Sequence, residues 1–223
     1  MAPIESGMRR YRRSILASAG AASITGMAGC TGLSTFFGSE LPDCTGPQTT
    51  GVPVPIRGRS SAPVSVVVFS DFASNECKTF AEDAAPRIGD HIQQGNVLYW
   101  YRDFPIPVSE RSFPVANAAR AVQDNAGTGA FWLFYERVFA NQGEYGTAEL
   151  VEYAEDLSVP PEAIRSAVAD APYCELIKAD RSRGNERGVD ETPTVFVEDR
   201  KLVSPSPEEF ERTVDEVVGN ENS

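Results

Sequence analysis

The chemistry available to this chain is concentrated in four cysteines, Cys30, Cys44, Cys77 and Cys174, because it has only one histidine, His91. A deprotonated thiol is the nucleophile of disulfide exchange and also a metal ligand. A single histidine excludes a histidine-rich metal site and weakens any Ser-His-Asp arrangement. That histidine sits in the polar run Asp90-His91-Ile92-Gln93 and reads as a solvated residue at a helix end. Ser74 stands three positions before Cys77, and serine is a favoured helix N-cap. Glu76 lies beside the thiol and its negative charge disfavours a thiolate. No general base accompanies Ser74, which argues against a serine hydrolase. No nucleotide-binding glycine loop, calcium loop or zinc cluster is visible, so no cofactor and no metal is implied.

The elements that must position these residues alternate between two periods. Val64-Ser65-Val66-Val67-Val68-Phe69 is β-branched and apolar, a buried strand, with a shorter strand expected near 52–56. A helix follows from about Ser74 and is interrupted near Pro86. Asn96-Val97-Leu98-Tyr99-Trp100-Tyr101 is the next strand. A mostly helical stretch occupies roughly 115–186, with breaks at Gly127, Gly143 and Pro160-Pro161. Thr194-Val195-Phe196-Val197 and Lys201-Leu202-Val203 form a hairpin, and a closing helix over 207–218 is capped by Ser206. A strand–helix–strand crossover implies a parallel pair, and the hairpin adds antiparallel strands. The expected fold is α/β, with a central mixed four-stranded sheet and a helical insertion.

The N-terminus carries a different message. Arg9-Arg10-Tyr11-Arg12-Arg13 opens a mildly apolar stretch that ends in Met27-Ala28-Gly29-Cys30. A positive region, a weak apolar region and small residues at a cut site are the anatomy of an export signal. Arg12-Arg13-Ser14-Ile15-Leu16 resembles a twin-arginine motif, and the last four residues resemble a lipobox, in which Cys30 becomes the lipidated first residue. The expected organisation is an export signal over 1–29, a lipidated N-terminus and flexible tether over 30–61, and a folded domain over 62–219 with its helical insert at about 113–187. The protein would then stand at the outer face of the cytoplasmic membrane.

Charge narrows the partners. There are 32 acidic against 20 basic residues in 223, a formal net charge of -12, and only three lysines. Strong acidity argues against nucleic acid, whose phosphates would be repelled. An acidic, lysine-poor surface also fits a protein adapted to high salt, where counterions screen self-repulsion.

Four segments together carry a family resemblance. Phe69-Ser70-Asp71-Phe72-Ala73-Ser74-Asn75-Glu76-Cys77-Lys78-Thr79-Phe80 resembles the active-site segment of DsbA-like proteins, with Ser74 at the first position of the Cys-x-x-Cys pair and Cys77 at the second. Tyr101-Arg102-Asp103-Phe104-Pro105 resembles the family's next strand end. Phe131-Trp132 with Val138-Phe139-Ala140-Asn141-Gln142 resembles its helical insert, and Gly188-Val189-Asp190-Glu191-Thr192-Pro193-Thr194 its cis-proline loop. The resemblance implies a thioredoxin-like fold and a relationship to thiol–disulfide oxidoreductases that act on exported proteins.

It also implies roles. Ser74 occupies the place of the attacking cysteine and keeps the cap but not the chemistry. Cys77 is the residual thiol, shielded one turn into the helix, and either inert or weakly redox-active. Thr192-Pro193 would be a cis bond facing that pair and presenting backbone to exported or unfolded protein segments. With Cys30 lipidated, three cysteines remain. Cys44 either pairs with Cys174 as a structural bridge or reaches Cys77 as a substitute partner. Two functions stay open: an oxidoreductase-related protein with impaired exchange, and a non-catalytic module that holds extended segments.

Overall fold

The computed structural model describes residues 41–106 and 109–221. The segment expected to be an export signal and the expected lipidation position Cys30 lie outside the described residues. In chain order the elements are β1 (Ile56–Arg57), β2 (Val64–Ser70), α1 (Asn75–Thr79), α2 (Gly89–Gln94) and β3 (Val97–Asp103). The helices α3 (Ser112–Ala140), α4 (Thr147–Glu155), α5 (Pro161–Asp170) and α6 (Cys174–Glu186) follow, then β4 (Thr194–Val197), β5 (Arg200–Val203) and α7 (Pro207–Glu221).

The sheet runs β1-β3-β2-β4-β5. β2 and β3 are parallel, with Val64 opposite Val97 and Ser70 opposite Asp103. β4 is antiparallel to β2, and β5 to β4. This is the expected mixed α/β sheet with one correction: it has five strands, not four. The fifth is β1, which pairs Ile56 with Trp100 and starts later than the 52–56 expected. Pro53 and Pro55 have no N–H to give a ladder, so pairing begins only at Ile56.

Both faces of β2 are covered, which is why it is a near-continuous apolar run rather than an alternating one. Val64, Val66 and Val68 join Val97, Tyr99 and Tyr101 in the main core against α3 and α7. Phe69 joins Phe104, Val189 and Phe196 in a smaller cluster on the other face. There α6 comes so close that a Cβ on Gly184 would sit 2.5 Å from the Phe104 ring, so only glycine fits. Arg120 of α3 locks the insert to the sheet, with Nε 2.6 Å from Asp103 and a terminal nitrogen 2.7 Å from Asp180 of α6. Burial pushes the Asp103 carboxyl up to about 6, against the pull of Arg120 and with help from Asp180.

Two further expectations are corrected. The described part of the segment read as a flexible tether is fastened to the domain. Cys44 is disulfide-bonded to Cys174, their Cα atoms 5.5 Å apart. The Thr49 N–H donates to the Pro172 carbonyl at 2.7 Å, and the Glu175 N–H to Gln48 Oε1 at 3.2 Å. Single bonds of this kind leave no periodic trace in a sequence. His91 is only partly solvated: its Nε2 lies 2.7 Å from Asp215 Oδ1, because α2 shares a side of the sheet with α7.

Candidate functional site

The site forms where β2 ends. After Ser70 the chain turns through Asp71-Phe72-Ala73 and enters α1 with Ser74 as N-cap, in extended backbone geometry. The turn is held by Asp71. Its Oδ1 accepts from the Ala73 N–H and its Oδ2 from the Ile106 N–H, each at 2.8 Å, so the loop after β3 is tied to the loop after β2. Burial pushes the Asp71 carboxyl up, and those two N–H groups oppose the shift. The insert grips the same turn. Gln142 Nε2 donates to the carbonyls of Phe72 at 2.9 Å and Ser74 at 2.8 Å, and the Tyr145 hydroxyl donates to Phe72 at 3.3 Å. Phe72 itself stacks on Phe139, ring centroids 5.2 Å apart.

Ser74 Oγ accepts from the Cys77 N–H at 3.3 Å, the bond expected of an N-cap. Its proton has two acceptors in range, Glu76 Oε2 at 3.0 Å and the Thr192 carbonyl at 3.5 Å. The Thr192-Pro193 bond is cis. The structure therefore brings Ser74, Cys77, Thr192 and Pro193 together, four residues from two distant parts of the chain.

Cys77 is fully buried. The Asp71 N–H donates to its sulfur at 3.4 Å. Burial pushes the thiol up; the Asp71 N–H and the hydroxyls of Ser70, Ser74 and Thr192 offset part of that. Thr192 Oγ1 is buried beside the site without a close hydrogen-bond partner. A thiol shielded and raised in this way is a poor nucleophile. Of the two pairings the sequence left open, the bridge is Cys44–Cys174, and Cys77 is the free thiol among the described residues.

Beside the pair lies a groove of about 260 Å³. Glu76, Phe80, Ala84 and Pro193 line it together with the turn over 204–207. The Ser204 N–H donates to the Pro193 carbonyl at 2.8 Å, and Ser204 holds a left-handed φ of 44°, costly for a residue with a side chain. Among the described residues no group of three or more His, Cys, Asp or Glu side chains is placed to hold a metal ion.

Three contributors are given no role by the sequence reading: Asp71 and Gln142 stand only as members of the family segments, and Tyr145 is not named. Asp71 could have been found, since an Asp between a strand and an N-cap is a typical Asx turn. Gln142 and Tyr145 could not, because their partners are backbone carbonyls some 70 residues away.

Comparison with known proteins gives one family. A family model described as Thioredoxin matches residues 50–216. The Na(+)/H(+) antiporter NhaA 1 of Salinispora arenicola is 33% identical over 148 residues, which is 66% of this chain and 22% of that protein. The chain thus spans about a fifth of the length of that antiporter. Disulfide bond formation protein D of Bacillus subtilis is 25% identical over 155 residues, 66% of this chain and 69% of that one. The crystal structure of Chlamydia trachomatis DsbA superposes with a TM-score of 0.69 at 21% identity, covering 82% of this chain and 100% of that one.

Proposed function

The chain belongs to the thioredoxin family, in its DsbA-like branch, and from that premise we propose an exported relative of the thiol–disulfide oxidoreductases whose dithiol exchange is impaired. It works on the outer face of the cytoplasmic membrane, anchored through Cys30, and its partners are exported or unfolded protein segments. The observation that carries this reading is the hydroxyl of Ser74 at the head of α1. Exchange starts when a thiolate attacks one sulfur of a client disulfide and the other sulfur leaves as a thiolate. A second thiol one turn on then resolves the mixed disulfide. A hydroxyl cannot form the mixed disulfide, and the thiol behind it is buried and raised. Glu76 at 3.0 Å from Ser74 Oγ adds a negative charge where a thiolate would need the opposite.

Wild-type protein is expected at background in an oxidative-refolding assay. Ser74→Cys replaces one oxygen by sulfur in a fixed cap geometry, so exchange should appear, and Cys77→Ala on top of it should abolish most turnover. Strong wild-type activity that depends on Cys77 would overturn the proposal. So would a folded Ser74→Cys variant that forms no disulfide between the introduced thiol and Cys77.

The anchor is supported by Met27-Ala28-Gly29-Cys30 following a positive, weakly apolar leader. Among the described residues no helix is long and apolar enough to cross a membrane. Wild-type protein should sediment with membranes, and Cys30→Ser should move it to the soluble exported fraction or leave the precursor uncut. Wild-type protein that is already soluble after export would refute the anchor.

A further inference from the structure

The position that a reactive thiol would need to be electropositive is acidic here, and its acidity is not neutralised. Glu76 is exposed in the first turn of α1, lines the 260 Å³ groove beside Pro193, and touches Ser74. Among the described residues it takes part in no ion pair. Lys78, two residues on, pairs with Glu82, Arg87 with Glu208 and Glu211, and Lys201 with Asp190 and the Gly188 carbonyl. No basic side chain lines the groove. The remaining walls combine the apolar Phe80, Ala84, Pro193, Pro205 and Pro207 with the hydroxyl residues Thr79, Ser204 and Ser206.

From this geometry we infer that the groove selects cationic client segments: an extended chain that places an apolar side chain between Phe80 and Pro193 and an arginine or lysine against Glu76. This rests on the proposed role of the Thr192-Pro193 loop in holding extended segments, and it names the chemistry those segments carry. Three physical points support it. A groove that offers Phe80, Ala84 and three prolines, with a charge at the rim, favours long side chains with an aliphatic stem and a cationic head, which bury the stem and keep the head wet. A rim carboxylate with no cation of its own discriminates mainly by sign, attracting a cation and repelling an anion. The whole chain carries a net charge of -12, so the wider field steers basic segments in and acidic ones away. The same carboxylate that opposes a thiolate at position 74 or 77 thus acquires a use once exchange is lost, and Glu76 becomes the specificity-determining residue of the groove.

Two short unstructured peptides, identical except for arginine or glutamate beside a central leucine, test this by fluorescence anisotropy with the full chain. An exposed pair contributes a few-fold, so attraction to one peptide and repulsion of the other should separate their affinities by about tenfold at low salt. The gap should close as added salt screens the rim. Glu76→Gln should weaken the arginine peptide by about threefold and leave the glutamate peptide no worse. Glu76→Lys should reverse the preference. Equal binding of both peptides, or a preference unchanged in both variants, would overturn the inference while leaving the capture role standing. Failure of both peptides to bind would remove the capture role and this inference together.

Discussion

The molecule treats its sulfur in two opposite ways, in two regions. At the edge of the insert, Cys44 and Cys174 are joined, and the bond fastens the chain before the sheet to the start of α6. At the head of α1, Cys77 is alone, fully buried, and paired in sequence with a hydroxyl in place of a second thiol. The first region has a disulfide beside a cavity of about 1020 Å³, lined by the arm around Cys44 and by parts of α3 and α5, but the cis-proline loop lies elsewhere. The second has the loop, the cap and the groove but no second sulfur. The contrast teaches that a cysteine count says little about redox function: here the bond holds structure together, and the thiol in the family's active position is part of the core.

The sharpest way to test that contrast is to remove the structural pair. The bridge closes a separation of 130 residues. In the chain-entropy account, opening a loop of that size costs about 4–5 kcal/mol of stability. The double variant Cys44→Ala/Cys174→Ala should therefore show a large drop in the urea midpoint. In the Ser74→Cys background the same double change should leave exchange per folded molecule intact, because neither residue belongs to the site. A stability loss below about 1 kcal/mol would mean that the hydrogen bonds of Gln48 and Thr49 hold the arm without the bridge, against the entropic estimate. Loss of exchange in the folded background would mean that the two sulfur regions are coupled.

How much of this was legible in the chain varies with what kind of order is involved. The strand at β2 announced itself through a run of β-branched residues, and the break at Gly127 through a residue that holds φ 85° inside the long helix. The meeting of Ser74 with Thr192 was legible only through the family resemblance, since nothing local links residues 118 positions apart. β1 was placed too early because prolines look like strand punctuation but silence the ladder. The arm over 41–49 looked like a tether because its Gly, Pro and Thr content is that of a linker, and what fastens it is one covalent bond and a few backbone contacts. The buried Arg120, Asp103 and Asp180 network left no sign at all: three charged residues on three elements become one cluster only after folding.

A smaller effect sharpens the other half of the contrast, the inertness of Cys77. Two separate brakes act on it. Burial blocks access, which lowers alkylation by the same factor at every pH. Burial also raises the thiol above its ordinary range, which changes the shape of the pH profile. With iodoacetamide, native protein should therefore react far more slowly than a small thiol at neutral pH. Its rate should keep climbing where the small thiol has already levelled off. The linkage follows the same sign. The unfolded chain loses the proton first as pH rises through the ordinary thiol range, so the folded state binds more protons there. The stability this group contributes is fully present below that range and is lost as pH climbs toward the folded value. Ser74→Ala gives the fine adjustment. The Ser74 hydroxyl favours the thiolate, so its removal should move the alkylation profile to still higher pH without changing access. Denatured protein serves as the reference and should react like a free thiol. A native profile that levels off with the small thiol, at any absolute rate, would leave access as the only brake. A native rate at neutral pH equal to that of denatured protein would show Cys77 open to attack and dissolve the contrast between the two regions.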